Sequence, residues 1–468
     1  MASLSRQLAQ WVVDLRFDDL PPEVIDRAKG VTLHALASVL LGSQTPSGRA
    51  AVELITDEEL GVHKGATILV DGRRVTRSGA AFANSEMCFA GGKWDTFRML
   101  THPGTSIIPA ALVATETAGA SGKVFITAVA AAYEVMLRMA ADFIPTVMTR
   151  GFHASPVFGI FGGAIAAAKI MKLDAEQMNS TIALCASLAS GNLEGLRSGG
   201  RALREGAAVR NAMLAVVLAQ RGHPGGETVL EGDAGFYHAY AGNNHGALTQ
   251  SFTGDTKASL DKITADLGKR WIFLETLYRI YSIAGYGIAP VDVTAKLCEE
   301  HDIRYEHIER IEAMVNWLET QYPSPAFPAR REDGPPRPAS TAYHTAFGAV
   351  TRGYPMLRGV GADPIGPDTP PEVLDLMQRV TIIPSHTMTL FGPRITIFTR
   401  DGKSYTRQGT GREFIWDFEE EVRRISAVVP GLPIPPAQFD ALVSTCRDLQ
   451  QQESATGLIK LTLKAQTK

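Results

Sequence analysis

The sequence predicts a mainly α protein, with a large all-helical domain built from two chain segments and a smaller α+β lid domain inserted between them. Three observations carry this. Ala- and Gly-rich apolar stretches recur at 107–119, 124–141, 157–171, 180–190 and 206–220, each bounded by Gly, Pro or charged residues and lacking strand alternation. Past residue 265 the texture changes to short alternating runs: Ile308 to Trp317, Val380 to Ile383 and Arg394 to Arg407. Helical patterning returns at Asp417 to Val428 and Gln438 to Gln451. The expected division is residues 1–265 helical, 266–411 lid, and 412–468 returning to the helical domain.

The elements follow in order. The first residues place Leu4, Leu8, Trp11 and Leu15 on one helical face and lack the apolar core of a signal peptide. Asp18 to Gly42 combines an N-cap, early prolines, an apolar-periodic run and a closing glycine, so it reads as a helix. Asp71-Gly72 between apolar runs signals a hairpin, as does Asp401-Gly402. Arg150 to Leu173 is the predicted central helix, because its Gly and Ala positions let neighbouring helices approach on several sides. Tyr322 to Pro338, rich in Pro and Arg, reads as an extended loop, and Thr341 to Val350 as a helix.

A chain of 468 residues with net charge −3 is long enough for two domains and carries no basic excess for nucleic acid or anionic membrane. The uncharged run Gly151 to Ala168 is interrupted by His, Ser, Pro and glycines, which argues against a membrane span. Cys88, Cys185, Cys298 and Cys446 lie far apart with no CxxC spacing, so reduced thiols and a cytoplasmic setting are expected, with no metal. The expected partner is a small molecule.

Three stretches could carry chemistry. Arg150 and His153 stand just ahead of Pro156 at a helix start, where the dipole favours an anion; a structural histidine beside a surface arginine is the alternative. Trp94, Asp95, Thr96, Arg98 and His102 share one turn, in which Asp95 could orient the imidazole. Equally, His102-Pro103-Gly104 could be a helix-entry turn. Arg197, Arg201 and Arg204 flank Ser198-Gly199-Gly200, where guanidinium forks could converge on a carboxylate, or simply form a solvated face. Trp94, Phe97 and Met99 make this turn apolar, with room for an alkyl or aromatic substituent on the substrate.

In their order these motifs resemble the MmgE/PrpD family: Asp-Thr…His-Pro-Gly, Phe-His-x-x-x-Val-x-Gly, a Gly-rich basic loop leading to Gly-Ala-Ala-x-Arg-Asn, and Val-Leu-Glu-Gly-Asp-Ala-Gly-Phe at 229–236. The resemblance is fainter at Ala284 to Asp292 and at Ser340 to Tyr343. The family includes 2-methylcitrate dehydratases, cis-aconitate decarboxylases and an iminodisuccinate epimerase. The resemblance implies a homodimer without cofactor and a site between the two domains. It makes His102, His153, Asp95 and Arg201 the catalytic candidates and Thr96, Arg98, Arg150, Arg204, Trp94 and Tyr343 the substrate-binding ones. The chain departs from the family at Gly92, Lys93 and Trp94, where relatives carry Asp-Phe-Asp; at Arg201 in place of Lys; and at Ile288 in place of a lid histidine. Guanidinium keeps the charge but is a poor proton donor. The expected activity is a lyase, dehydratase or decarboxylase, acting next to a carboxylate by His-based proton transfer. A cofactor-independent epimerase and a non-catalytic ligand-binding homologue are its rivals.

Overall fold

The computed structural model describes residues 2–62, 64–197, 203–281, 283–328, 334–354 and 369–464. Helix takes up 56 % of the chain and strand 9 %, so the fold is mainly α. Two compact units divide it: Met1–Ser251, Thr256–Ile280 and Trp416–Lys468 form the larger, Phe252–Asp255 and Tyr281–Ile415 the smaller. Among the described residues no helix is long and apolar enough to cross a membrane.

The larger unit holds α1 (Leu4–Asp14), α2 (Pro22–Gly42), α3 (Pro46–Glu59), α4 (Arg77–Ala90), α5 (Gly104–Ala118), α6 (Gly122–Ala140), α7 (Ile144–Thr149), α8 (Ala154–Ile170), α9 (Ala175–Leu188), α10 (Arg204–Gln220) and α11 (Phe236–Ala241). Local sequence sets their starts: the hydroxyls of Thr76 and Ser121 and the Asp174 carboxylate accept N–H groups of the first turns of α4, α6 and α9. Helix α8 is buried along its length except at Lys169. Its glycines make this possible: a Cβ on Gly159 would lie 2.5 Å from Ser106 Oγ of α5, and one on Gly162 would lie 2.9 Å from Met136 Sδ of α6. At such distances any side chain would push the helices apart.

This unit is not wholly helical. The hairpin at Asp71-Gly72 pairs β1 (Ala66–Thr67) with β2 (Arg74–Val75). A second ladder pairs β3 (Trp94–Thr96) with β4 (Leu277–Arg279), antiparallel, with Trp94 opposite Arg279. That pairing holds residues up to Ile280 in the larger unit, whereas the texture of the sequence puts the change near residue 265.

In the smaller unit α12 (Gly285–Glu300) is followed by β5 (Ile308–Asn316), α13 (Trp317–Thr320), α14 (Thr341–Thr351), α15 (Pro371–Leu376), β6 (Val380–Ser385), β7 (Arg394–Thr399) and β8 (Ser404–Gln408). The sheet order is β6-β5-β7-β8, parallel at β5/β6 and antiparallel elsewhere. Inward residues Ile308, Ile311, Ala313, Ile395 and Ile397 pack with Leu297 of α12 and with Ala342 and Ala346 of α14.

The chain then returns to the larger unit as α16 (Phe418–Ile425), α17 (Pro436–Arg447) and α18 (Gly457–Lys460). Buried polar bonds fasten this segment to α2: His34 Nδ1 lies 2.7 Å from Glu421 Oε1, and the Phe418 N–H donates to Asp26 Oδ2 at 2.9 Å. All four cysteines are free and buried, and burial pushes the Cys298 and Cys446 thiols up to about 12.

Candidate functional site

The starts of α5 and α8 bring His102 and His153 to one residue, Ser155. The His102 N–H donates to Ser155 Oγ at 3.2 Å, and the Ser155 N–H donates to His153 Nδ1 at 3.3 Å. His153 is the N-cap of α8, its ring nitrogen taking the place that a Ser or Asp oxygen usually fills. Both rings are buried, at 4 % and 1 % exposure.

Their backbone partners assign the tautomers. His102 Nδ1 stands 3.2 Å from the Asp95 main-chain carbonyl, which only accepts, so Nδ1 carries the proton and Nε2 the lone pair. The Thr96 hydroxyl reaches the same Nδ1 at 3.2 Å. His153 Nδ1 faces an N–H, which only donates, so in the neutral ring Nε2 carries the proton. In their neutral forms one imidazole thus presents an acceptor at Nε2 and the other a donor.

Asp95 acts differently from the orienting carboxylate suggested by the sequence. Its carboxylate accepts the Gly104 N–H at 2.9 Å, closing the first turn of α5, and the Tyr133 hydroxyl at 2.5 Å. Only its carbonyl touches the imidazole. Burial raises the Asp95 carboxyl above its usual range, opposed by the Tyr133 bond. Gly104 is required here, since a Cβ would lie 2.7 Å from Asp95 Oδ1.

Trp94 stacks on Phe89 at 4.9 Å and lies 4.6 Å from the His102 ring, while the Arg279 guanidinium sits 4.8 Å from its centroid. Phe97 and Met99 are buried, leaving Trp94 as the partly exposed apolar residue of this turn. Lys93 is pulled down to about 8, by burial first and by the Arg279 charge second.

A pair of buried acids borders the site. Glu205 accepts Ser155 Oγ at 3.1 Å and lies 3.5 Å from Arg204 Nε; burial raises its carboxyl, with Arg204 opposing. Glu86 accepts the Gly206 N–H at 2.7 Å and is pushed up to about 8, chiefly by burial, with Glu205 adding repulsion. Arg204 also lies 5.5 Å from the Phe89 ring, so it belongs to this neighbourhood.

The remaining predicted residues have these partners. Arg98 donates to the Ala141 carbonyl at 2.6 Å and pairs at longer range with Asp142 and Glu275, so it fastens the end of α6. Arg150 is exposed and donates to the Ala239 carbonyl at 3.2 Å. Tyr343 is fully buried in the core of the smaller unit, its hydroxyl 3.2 Å from Thr369 Oγ1. Ile288 is buried in α12 beside Gly287, against which the His344 ring packs. Arg201 and the side chain of Arg197 lie outside the described residues.

Sequence reasoning missed Ser155, Tyr133, Glu86, Glu205 and Arg279. Only Glu86 carried a signal: it is the one charge between Ser78 and Gly92. Among the described residues no group of three or more His, Cys, Asp or Glu is placed to hold a metal ion.

The chain is 24 % identical over 317 residues to a cis-aconitate decarboxylase-like protein of Aspergillus oryzae, covering 65 % of this chain and 63 % of that one. It is 24 % identical over 311 residues to the cis-aconitate decarboxylase of Aspergillus terreus, covering 63 % and 60 %. The human cis-aconitate decarboxylase matches at 24 % over 246 residues, 52 % and 51 % of the two chains. These matches span less than two thirds of each relative's length. Residues 6–248 match the MmgE/PrpD N-terminal domain, more than half of the chain, and the protein belongs to the MmgE/PrpD family.

Proposed function

We propose that the chain is a cofactor-independent lyase, working as a homodimer, that eliminates water or CO2 next to a carboxylate of a small polycarboxylate-like substrate. The observation that carries this is the opposite tautomers of His102 and His153, held on one serine in a chain similar to cis-aconitate decarboxylases. In dehydration, His102 Nε2 would take the proton next to the carboxylate and become an imidazolium, while the neutral His153 Nε2–H hydrogen-bonds the departing hydroxyl, which leaves as water with the proton that His102 passes on. In decarboxylation the C–C bond breaks, its electron pair stays on the carbon as an enolate-like charge that the His153 Nε2–H can hydrogen-bond, and a proton from solvent carried by His102 Nε2 returns to that carbon. Arg279, Lys93, Arg204 and Arg201 are the cations assigned to the carboxylates and the developing charge. Trp94, partly exposed beside the His102 ring, favours an alkyl- or aryl-bearing substrate over an unsubstituted tricarboxylate.

The same pair of groups also suits an epimerase, in which one imidazole removes a proton and the other returns one to the opposite face. Incubation in D2O with cis-aconitate, 2-methylcitrate and alkyl-substituted analogues, followed by NMR, separates the readings. Loss of CO2 or water supports the lyase, and deuterium exchange with inverted stereochemistry and no loss supports the epimerase. Neither product nor exchange across the panel would overturn both.

A further inference from the structure

At the opposite end of α8 from His153, roughly 25 Å away along a 17-residue helix, lies a cavity of about 390 Å³. Leu15, Phe17, Val124 and Leu173 supply apolar wall, and Arg16, Lys123, Lys169 and Lys172 supply four cations against one acid, Asp174. Lys169 is structural: its ammonium donates to the carbonyls of Val12 and Leu15, fastening the end of α1 as part of the wall.

Two of the remaining cations stand where local structure disfavours them. Lys172 closes α8 in the left-handed conformation, φ +58°, with the Leu173 N–H donating to the Ala168 carbonyl at 3.0 Å. Glycine adopts that conformation without strain. Lys123 lies in the first turn of α6, where the helix dipole opposes a cation, and its ammonium sits 5.0 Å from the Phe17 ring centroid. Among the described residues Arg16, Lys123 and Lys172 form no ion pair. The neighbouring acids are engaged: Asp174 caps α9 through the Gln177 N–H, and Asp19 accepts the Arg16 N–H, both at 2.8 Å.

We propose that this cavity, formed by α6, the end of α8 and the chain after α1, is a second binding site, separate from the histidines, for a small amphipathic anion: a carboxylate or phosphate monoester on an alkyl or aryl body. The apolar body packs against Phe17, Val124 and Leu173, and the head group lies among Arg16, Lys123 and Lys172. The volume suits a small molecule, since such sites run from roughly 300 to 1,000 Å³.

Titration calorimetry of the full chain with octanoate and with octyl phosphate tests this, with octanol and inorganic phosphate as controls. Expected is one-to-one binding of at least one amphiphilic anion, with both controls weaker by about tenfold or more. The better of the two anions identifies the head group. The double variant Lys123→Ser/Lys172→Gly should lose at least about tenfold in affinity while keeping its melting temperature, because glycine relieves the strained backbone at position 172. His102→Ala should bind as the wild type does, which keeps this test separate from that of the lyase. Absence of binding at millimolar ligand would overturn the proposal, as would unchanged affinity in the double variant or binding that depends on His102.

Discussion

His102 and His153 present the same ring atom, Nδ1, to opposite backbone partners: the Asp95 carbonyl at 3.2 Å and the Ser155 N–H at 3.3 Å. A carbonyl and an amide cannot exchange roles, so the difference between the two imidazoles is built into the main chain.

Replacing either histidine should lower turnover by roughly 10²–10⁴. His153 also caps α8, so His153→Ala should destabilise by about 1 kcal/mol as well. His153→Asn restores a capping oxygen without the imidazole. It should therefore recover the stability, read by urea denaturation, but not the turnover. Wild-type turnover in both His102→Ala and His153→Asn would remove the two residues from the mechanism.

Glu86 should make the fold weaker as pH rises. Its carboxyl is pushed up to about 8, so the folded chain holds a proton that the unfolded chain has released above its ordinary value of 4.5. Stability then falls with increasing pH between those values, by up to about 1.4 kcal/mol per unit. Glu86→Gln keeps an acceptor for Gly206 and should flatten this part of the profile. Melting temperatures from pH 5 to 8 that fall equally in both proteins would count against it.

Asp95→Ala should leave the Tyr133 hydroxyl and the Gly104 N–H without their carboxylate, costing about 1–3 kcal/mol for each buried group left unsatisfied. Asp95→Asn keeps an acceptor and should cost less. Because the imidazole bonds to the main-chain carbonyl, Asp95→Asn should retain more turnover than His102→Ala, which kinetics alongside denaturant midpoints will show.

Lys93 should set an alkaline limit on substrate binding. With its amine pulled down to about 8, it is charged below that pH and neutral above, so KM for an anionic substrate should climb past pH 8. In Lys93→Met the climb should vanish and KM should be high throughout. Arg201→Ala should likewise raise KM more than it lowers kcat. A pH–KM profile identical in wild type and Lys93→Met would exclude the role.

Light scattering at micromolar concentration should return a dimer, as the family resemblance implies. A monomer would contradict it.

Many helices were legible because their signals are local: Pro22 marks a start, Asp71-Gly72 and Asp401-Gly402 mark hairpins, and the small residues of α8 mark a close-packed helix, whereas α3, α4 and α12 were not read. The placement of His102 and His153 at helix starts was legible as well, because each precedes an apolar run. The ladder of β3 and β4 was not: three-residue strands about 180 positions apart have no alternation to read, and only their pairing sets Arg279 against Trp94.

The sequence by itself determined the helical class, which depends on neighbours a few residues apart, and the family likeness, which depends on the order of its motifs. Tertiary structure decided what the candidate residues face. It gave the Asp95 carboxylate to Gly104 and Tyr133, fastened Arg98 to the end of α6, and set Glu205 on Ser155 and Glu86 on Gly206. A side chain's protonation and partners depend on the groups that packing brings within about 3 Å and on the water it removes, and neither is recorded in the spacing of residues along a chain.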